Sequence, residues 1–202
     1  MVGRWQLLFG SAFLATGAGL LTYVASGISL WLTALVACVL GALAMIGIWG
    51  RLDESRRRVL KQRIVAGLVA GLIATVAYDL SRFGLIKITG IRFWPFDIFR
   101  VFGRALMGDA FNDNVTRAAG FLYHVANGLG FGLTYTIWMG ERGILAGIGF
   151  AMVLELCMVS VYPGWLGMKA LNEFLQVSVF GHLVYGGVLG YLSRRFTGQL
   201  AH

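Results

Sequence analysis

The 202-residue chain is too apolar for a water-soluble domain. Hydrophobic residues make up 58% of it and charged residues only 13%, with a mean hydropathy of +0.76, whereas about 25% of the residues of a soluble domain are charged. A net charge of +8 in a soluble chain would suggest nucleic-acid binding. Here the basic residues flank long apolar runs, where they would face lipid headgroups. The composition therefore favours a membrane protein with the lipid bilayer, and no nucleic acid, as its partner.

Six apolar runs are each long enough to cross a membrane as a helix. About 20 residues cross the ~30 Å hydrocarbon core, and the runs must be helical because lipid cannot hydrogen-bond exposed backbone. The first run lacks a small-x-small cleavage site, which favours an uncleaved span. We predict an all-α fold with one integral membrane domain over residues 1–202: a polytopic bundle of about six transmembrane helices, near 5–24, 28–49, 64–85, 118–139, 144–162 and 171–192.

The loop between the second and third runs sets the predicted orientation. Residues 51–63 read RLDESRRRVLKQR, the most basic short loop of the chain, and short basic loops are retained in the cytoplasm. Because the number of spans is even, both termini then lie on the cytoplasmic side as well. We expect the membrane to be a bacterial inner (plasma) membrane.

The longest stretch between spans, residues 86–117, falls on the outer side in this topology. It contains WPFDIFRVFGRALM, in which Pro95 suits the first turn of a helix and Asp97 suits the positive end of the helix dipole. We predict one interfacial amphipathic helix near 95–107, which either lies on the outer leaflet or covers the bundle as a lid.

One ionisable residue lies inside each of the last four predicted spans. Titratable side chains are costly in lipid, so each is a candidate functional residue. Their positions along the spans put all four in the outer half of the membrane, within roughly two helical turns of one another. These residues are Asp79, His124, Glu155 and His182.

Each of the four residues continues a helix face of small residues spaced by four. Such faces let helix backbones approach closely in lipid. We therefore predict a bundle that is tight in its inner half and opens into a polar chamber in its outer half. The predicted packing residues are Gly67, Gly71, Gly128, Gly132, Gly143, Gly147, Gly186 and Gly190.

Three functions fit such a chamber. The first is binding or conduction of an ion, a proton, a small ligand or a divalent transition metal, with Asp79, His124, Glu155 and His182 as metal ligands. The second is electron transfer by a haem b held between His124 and His182. The third is a non-catalytic structural or accessory role, in which the polar groups fix helix register and the partners are other membrane subunits or further copies of the chain.

Structural explanations also exist for the ionisable residues. Asp79 can pair with Arg82 one turn on, Glu155 can stay protonated and hydrogen-bonded, and the histidines can hydrogen-bond between helices. No nucleophile elbow, P-loop or dinucleotide fingerprint occurs. The sequence therefore assigns no catalytic residue and favours a protein that is not an enzyme.

Two short stretches resemble segments of small uncharacterised bacterial multi-span inner-membrane proteins. They are GHLVYG at 181–186, in the sixth run, and His124-x-x-Asn127-Gly128, in the fourth. The resemblance implies a bacterial multi-span protein of unknown activity and carries no catalytic residues with it.

Overall fold

The chain folds into helices over residues 3–166 and 171–198, which are the residues that the structure, a computed structural model, describes. Side chains are described for residues 3–161 and 172–198. Within these ranges there is no strand, as the sequence predicts. The α-helices are α1 (Arg4–Ser11), α2 (Ala15–Ser26), α3 (Leu30–Arg51), α4 (Glu54–Thr89), α5 (Ile98–Met107), α6 (Asp113–Met139), α7 (Ile144–Leu166) and α8 (Leu171–Gly198).

Among the described residues, five helical stretches are long and apolar enough to cross a membrane. They are Arg4–Ser26, Leu30–Arg51, Glu54–Thr89, Ile144–Val161 and Asn172–Gly198. α6 has 27 residues but is not apolar enough to be one of the five. Many of its residues are buried against other helices, so they need not match the polarity of lipid. The chain is thus a membrane protein by length and composition of its helices.

The basic stretch predicted as a loop is largely helical. The carboxylate of Asp53 caps α4 by accepting the backbone N–H of Arg56 at 2.8 Å, which satisfies one of the free N–H groups of the first turn. No glycine or proline interrupts residues 54–63. The predicted loop is therefore mostly the start of α4, a helix of 36 residues.

The first predicted span is a helix broken by a short turn. A 3-10 turn at Ala12–Leu14 separates α1 from α2. α2 ends at Gly27, whose φ of 72° suits glycine, and the chain returns as α3. The hydroxyl of Thr33 donates to the carbonyl of Gly19 at 2.8 Å, so α2 and α3 form a hairpin with little space between the backbones.

Glycines bring two pairs of helices into close contact. In the α4–α6 pair, a Cβ atom on Gly71 would lie 3.1 Å from the Cα of Gly132. In the α7–α8 pair, a Cβ atom on Gly147 would lie 2.8 Å from the Cα of Gly190. The other predicted packing glycines lie in or beside the same two contacts: Gly67, Gly128, Gly143 and Gly186. Of these, Gly143 precedes α7 instead of lying within it, with φ of +82°.

α4 also packs along α8 and so joins the two pairs into one four-helix unit. Between the helices lies a buried cluster that consists of Ala70, Ala74, Tyr135, Phe150, Ala151, Tyr185 and Leu189. The Tyr185 hydroxyl crosses from α8 to α6 and donates to the carbonyl of Gly128 at 2.8 Å. This unit holds the candidate site.

The segment predicted as an interfacial helix packs directly on α6. Pro95 opens a 3-10 turn, Pro95–Asp97, and α5 follows. A Cβ atom on Gly103 would overlap the carbonyl of Thr116, and one on Gly120 would overlap the carbonyl of Phe99. Because the backbones are this close, α5 is held against the start of α6. We call the turn Pro95–Asp97 together with α5 the roof of the bundle.

Candidate functional site

The four predicted ionisable residues lie at one end of the four-helix unit, under the roof segment, as two pairs. His124 of α6 lies 3.1 Å from Asp79 of α4, measured from Nε2 to Oδ2. His182 of α8 lies 2.8 Å from Glu155 of α7, measured from Nδ1 to Oε2. Each pair therefore links two helices through an imidazole and a carboxylate.

The surroundings of His182 fix which ring nitrogen carries a hydrogen. Its Nδ1 faces Glu155 and lies 3.0 Å from the carbonyl oxygen of Ser178. A carbonyl only accepts hydrogen bonds, so Nδ1 is protonated and Nε2 is the acceptor nitrogen of the neutral ring. The Ser178 hydroxyl also donates to Oε2 of Glu155 at 2.8 Å. The other carboxylate oxygen, Oε1, is buried with no hydrogen-bond partner among the described residues.

Asp79 binds two basic groups. Its Oδ2 faces His124, and its Oδ1 accepts from Nη2 of Arg82 at 2.5 Å. The spacing allowed for the Asp79–Arg82 pair, and the arginine side chain in it is only 6% exposed. The guanidinium lies 4.0 Å above the ring of Tyr78, and Nε has no hydrogen-bond partner in the described part of the chain.

The ring of Tyr78 packs against both imidazoles. Its centroid lies 5.9 Å from that of His124 and 5.0 Å from that of His182. Within the described ranges, no three His, Cys, Asp or Glu side chains gather closely enough to hold a metal ion. The four predicted metal ligands therefore lie as two pairs, and the metal alternative stays a prediction. The haem alternative at the two histidines stays a prediction.

A cavity of about 530 Å³ opens beside the two pairs. Its wall is mostly apolar and includes Phe93, Ile98, Val101, Phe102, Leu154 and Met158. Polar wall groups on α4, α6 and α8 include Tyr78, Arg82, His124, Asn127, Glu173, Ser178 and His182. The segment before α5 adds the charged residues Arg92 and Asp97. Asp79 and Glu155 do not line the cavity, although the histidines that they contact do. The volume falls in the range of about 300–1,000 Å³ that is usual for ligand pockets.

Exposed ion pairs fasten the roof to the start of α6. Arg117 of α6 lies 3.5 Å from Asp97 of the roof and 2.8 Å from Asp113. Arg100 of α5 lies 2.7 Å from the other oxygen of Asp113. The hydrogen bond from Arg117, aided by the charge of Arg100, holds the pKa of Asp113 below its ordinary value of 3.8. Asp97 also lines the cavity, so this network is part of the site's outer wall.

Sequence reasoning did not assign Tyr78 or Arg82 to the site. The available signal was position: Arg82 follows Asp79 by three residues, so the two share a helix face, and an arginine inside a helix bundle requires a paired anion. Asn127 and Tyr185 occupy matching places in the H-x-x-x-G repeats of the fourth and sixth runs. Both line the cavity.

The site lies within the part of the chain that matches a family model. The model, described as a family of unknown function (DUF6789), covers residues 61–202. That range contains both imidazole–carboxylate pairs and every cavity-lining residue, whereas α1, α2 and α3 precede it. No curated protein and no solved structure matches the chain. Because the match extends over more than half of the sequence, the chain belongs to DUF6789, a family of unknown function.

Proposed function

We propose that the protein binds a small amphiphilic molecule inside the membrane, in the cavity between α4, α6, α7 and α8. One observation carries the proposal: a cavity of about 530 Å³ has a mostly apolar wall that also contains a smaller number of polar groups. Ligand pockets have this composition, in which the apolar wall supplies affinity and the polar groups supply orientation.

The two carboxylates prepare the imidazoles for a ligand. Asp79 and Glu155 each hold one nitrogen of a histidine ring, which fixes the ring orientation and tautomer and leaves the second nitrogen for another partner. The glycine contacts Gly71–Gly132 and Gly147–Gly190 keep the helices beneath the site close together. A binding site held by packed helices keeps its geometry better than one on loops.

A ligand site accounts for the cavity better than a purely structural role. Polar groups that only fix helix register would be packed as densely as the rest of a protein interior. Around these pairs the interior is hollow. An accessory subunit without a ligand is thus the alternative that the binding experiment must exclude.

We further propose that the cavity lies in the outer half of a bacterial inner membrane, with both termini in the cytoplasm. α6 would be the sixth crossing, since 27 residues make a helix of roughly 40 Å and other helices shield its polar residues from lipid. The exposed arginines at the start of α4, Arg56 and Arg58, would then face the cytoplasm.

Photolabelling with an alkyl diazirine alcohol tests the proposed ligand site. In nanodiscs, we expect saturable labelling of the cavity wall that excess unlabelled alcohol prevents. Val177→Phe fills the cavity, because Val177 is fully buried and lines it, and should abolish most of this labelling. Val153→Phe is the matched control, because Val153 is 60% exposed on α7. Labelling that does not saturate, or that is equal in both variants, would overturn the proposal.

A further inference from the structure

We infer that the ligand of this cavity is a carboxylate amphiphile whose head binds Arg82 and whose tail lies along the apolar wall. This inference rests on the proposed function and adds the chemical class of the ligand. It is carried by the buried guanidinium of Arg82 in the cavity wall and by the apolar side chains of the same wall.

Arg82 lines the cavity and has one buried hydrogen-bond donor without a partner among the described residues. Its guanidinium offers five N–H donors, of which Nη2 is used by Asp79. Nε is buried and has no hydrogen-bond partner among the described residues. A buried donor that makes no hydrogen bond costs free energy. A carboxylate fits this need because its two oxygens match the planar guanidinium fork.

Polar residues of the wall offer donors and imidazoles to a ligand head. Arg82, His124 and His182 line the cavity, whereas their carboxylate partners do not. The carboxylates of Asp97 and Glu173 and the guanidinium of Arg92 also line the cavity. Since Asp79 and Glu155 are nearby, a monoanion is repelled less than the dianion of an alkyl phosphate. This comparison favours a carboxylate over a phosphate head.

The rest of the wall suits an alkyl chain. Residues of the roof and α7, among them Val101, Phe102, Leu154 and Met158, present apolar side chains to the same cavity. Burial of alkyl groups against them contributes about 0.8 kcal/mol for each methylene. A short soluble carboxylate such as acetate lacks this contribution, so it should not compete.

Competition against the diazirine alcohol tests the inference in nanodiscs. We compare dodecanoate, dodecanol, methyl dodecanoate, dodecyl phosphate and acetate. Dodecanoate should prevent labelling at a concentration at least about tenfold lower than dodecanol or the ester, because a hydrogen bond to a charged group is strong. Arg82→Gln should remove this preference and leave dodecanol unchanged. Arg104→Gln is the control, since Arg104 is half exposed and pairs with Asp109 at the surface.

The outcomes separate the inference from the proposed function. Equal competition by dodecanoate and dodecanol would overturn the carboxylate head and leave the ligand site standing, whereas failure of every compound would overturn both. Stronger competition by dodecyl phosphate, or competition by acetate alone, would overturn the carboxylate amphiphile. If Arg82→Gln does not fold, the preference of the unaltered protein for dodecanoate over dodecanol tests the inference. Arg82→Lys, which keeps the charge without the fork, should lose part of that preference.

Discussion

At the residue scale, the four ionisable side chains predicted from the sequence are tolerated in this bundle because each has a partner on another helix. His124 bonds to Asp79 across α6 and α4, and His182 bonds to Glu155 across α8 and α7. Such partners are far apart in sequence, so spacing within one helix cannot reveal them. Only the Asp79–Arg82 pair, three residues apart on α4, was predictable from the sequence.

The stability of the roof depends on pH through the carboxylate of Asp113. Its folded pKa is lowered by the hydrogen bond from Arg117, so it stabilises the roof above its unfolded pKa, near 3.8, and loses this effect as the pH falls through the lower folded value. We expect pepsin to cleave residues 98–107 faster as the pH falls from about 4 to about 2. The Asp113→Asn variant lacks the charge at every pH. The ratio of its cleavage rate to that of the unaltered protein, measured at each pH, isolates this effect. A constant ratio would contradict it.

At the element scale, helix ends follow from caps and from breaks in the sequence. α4 begins at its Asp53 cap and continues through the basic stretch because nothing stops it. The sequence predicted a loop there because charge density indicated the membrane boundary, which need not be the end of a helix. The composition of α6 is less apolar because many of its residues are buried against other helices and do not face lipid.

The α7–α8 contact allows a matched test of the packing glycines. A Cβ on Gly147 would lie 2.8 Å from the Cα of Gly190, whereas one on Gly149 meets nothing within 4 Å. Gly147→Ala should therefore destabilise the protein by about 1–3 kcal/mol, while Gly149→Ala should be neutral or slightly stabilising because alanine favours helix. Thermal unfolding in detergent measures both. Equal effects of the two substitutions would mean that the contact does not limit packing.

At the scale of the whole molecule, the cavity exists because four helices meet closely at one end and are covered by α5 at the other. α4 contacts both α6 and α8, and α8 contacts α7. The close contacts depend on glycine, and the cover depends on Gly103 and Gly120. This arrangement makes α4 the central element of the site, although its sequence does not distinguish it from the other spans.

The proposed orientation predicts opposite labelling at the two ends of the bundle. Arg58 of α4 and Arg104 of α5 are both exposed and lie on opposite sides in the proposed topology. With Cys38 and Cys157 replaced by alanine, Arg104→Cys should react with a membrane-impermeant maleimide on intact bacterial cells whose outer membrane has been opened. Arg58→Cys should react only after the inner membrane is permeabilised. Labelling of both from one side would contradict the topology.

The sequence by itself determined the helical class, most of the apolar spans and the four ionisable residues within them. Hydrophobic run length and residue spacing are local properties, and the bilayer translates them directly into helices and helix faces. The pairing of each imidazole with one carboxylate, the burial of Arg82 and the cavity at their side were decided by the tertiary structure. These features depend on which helices become neighbours, and that depends on close contacts between glycines far apart in the chain.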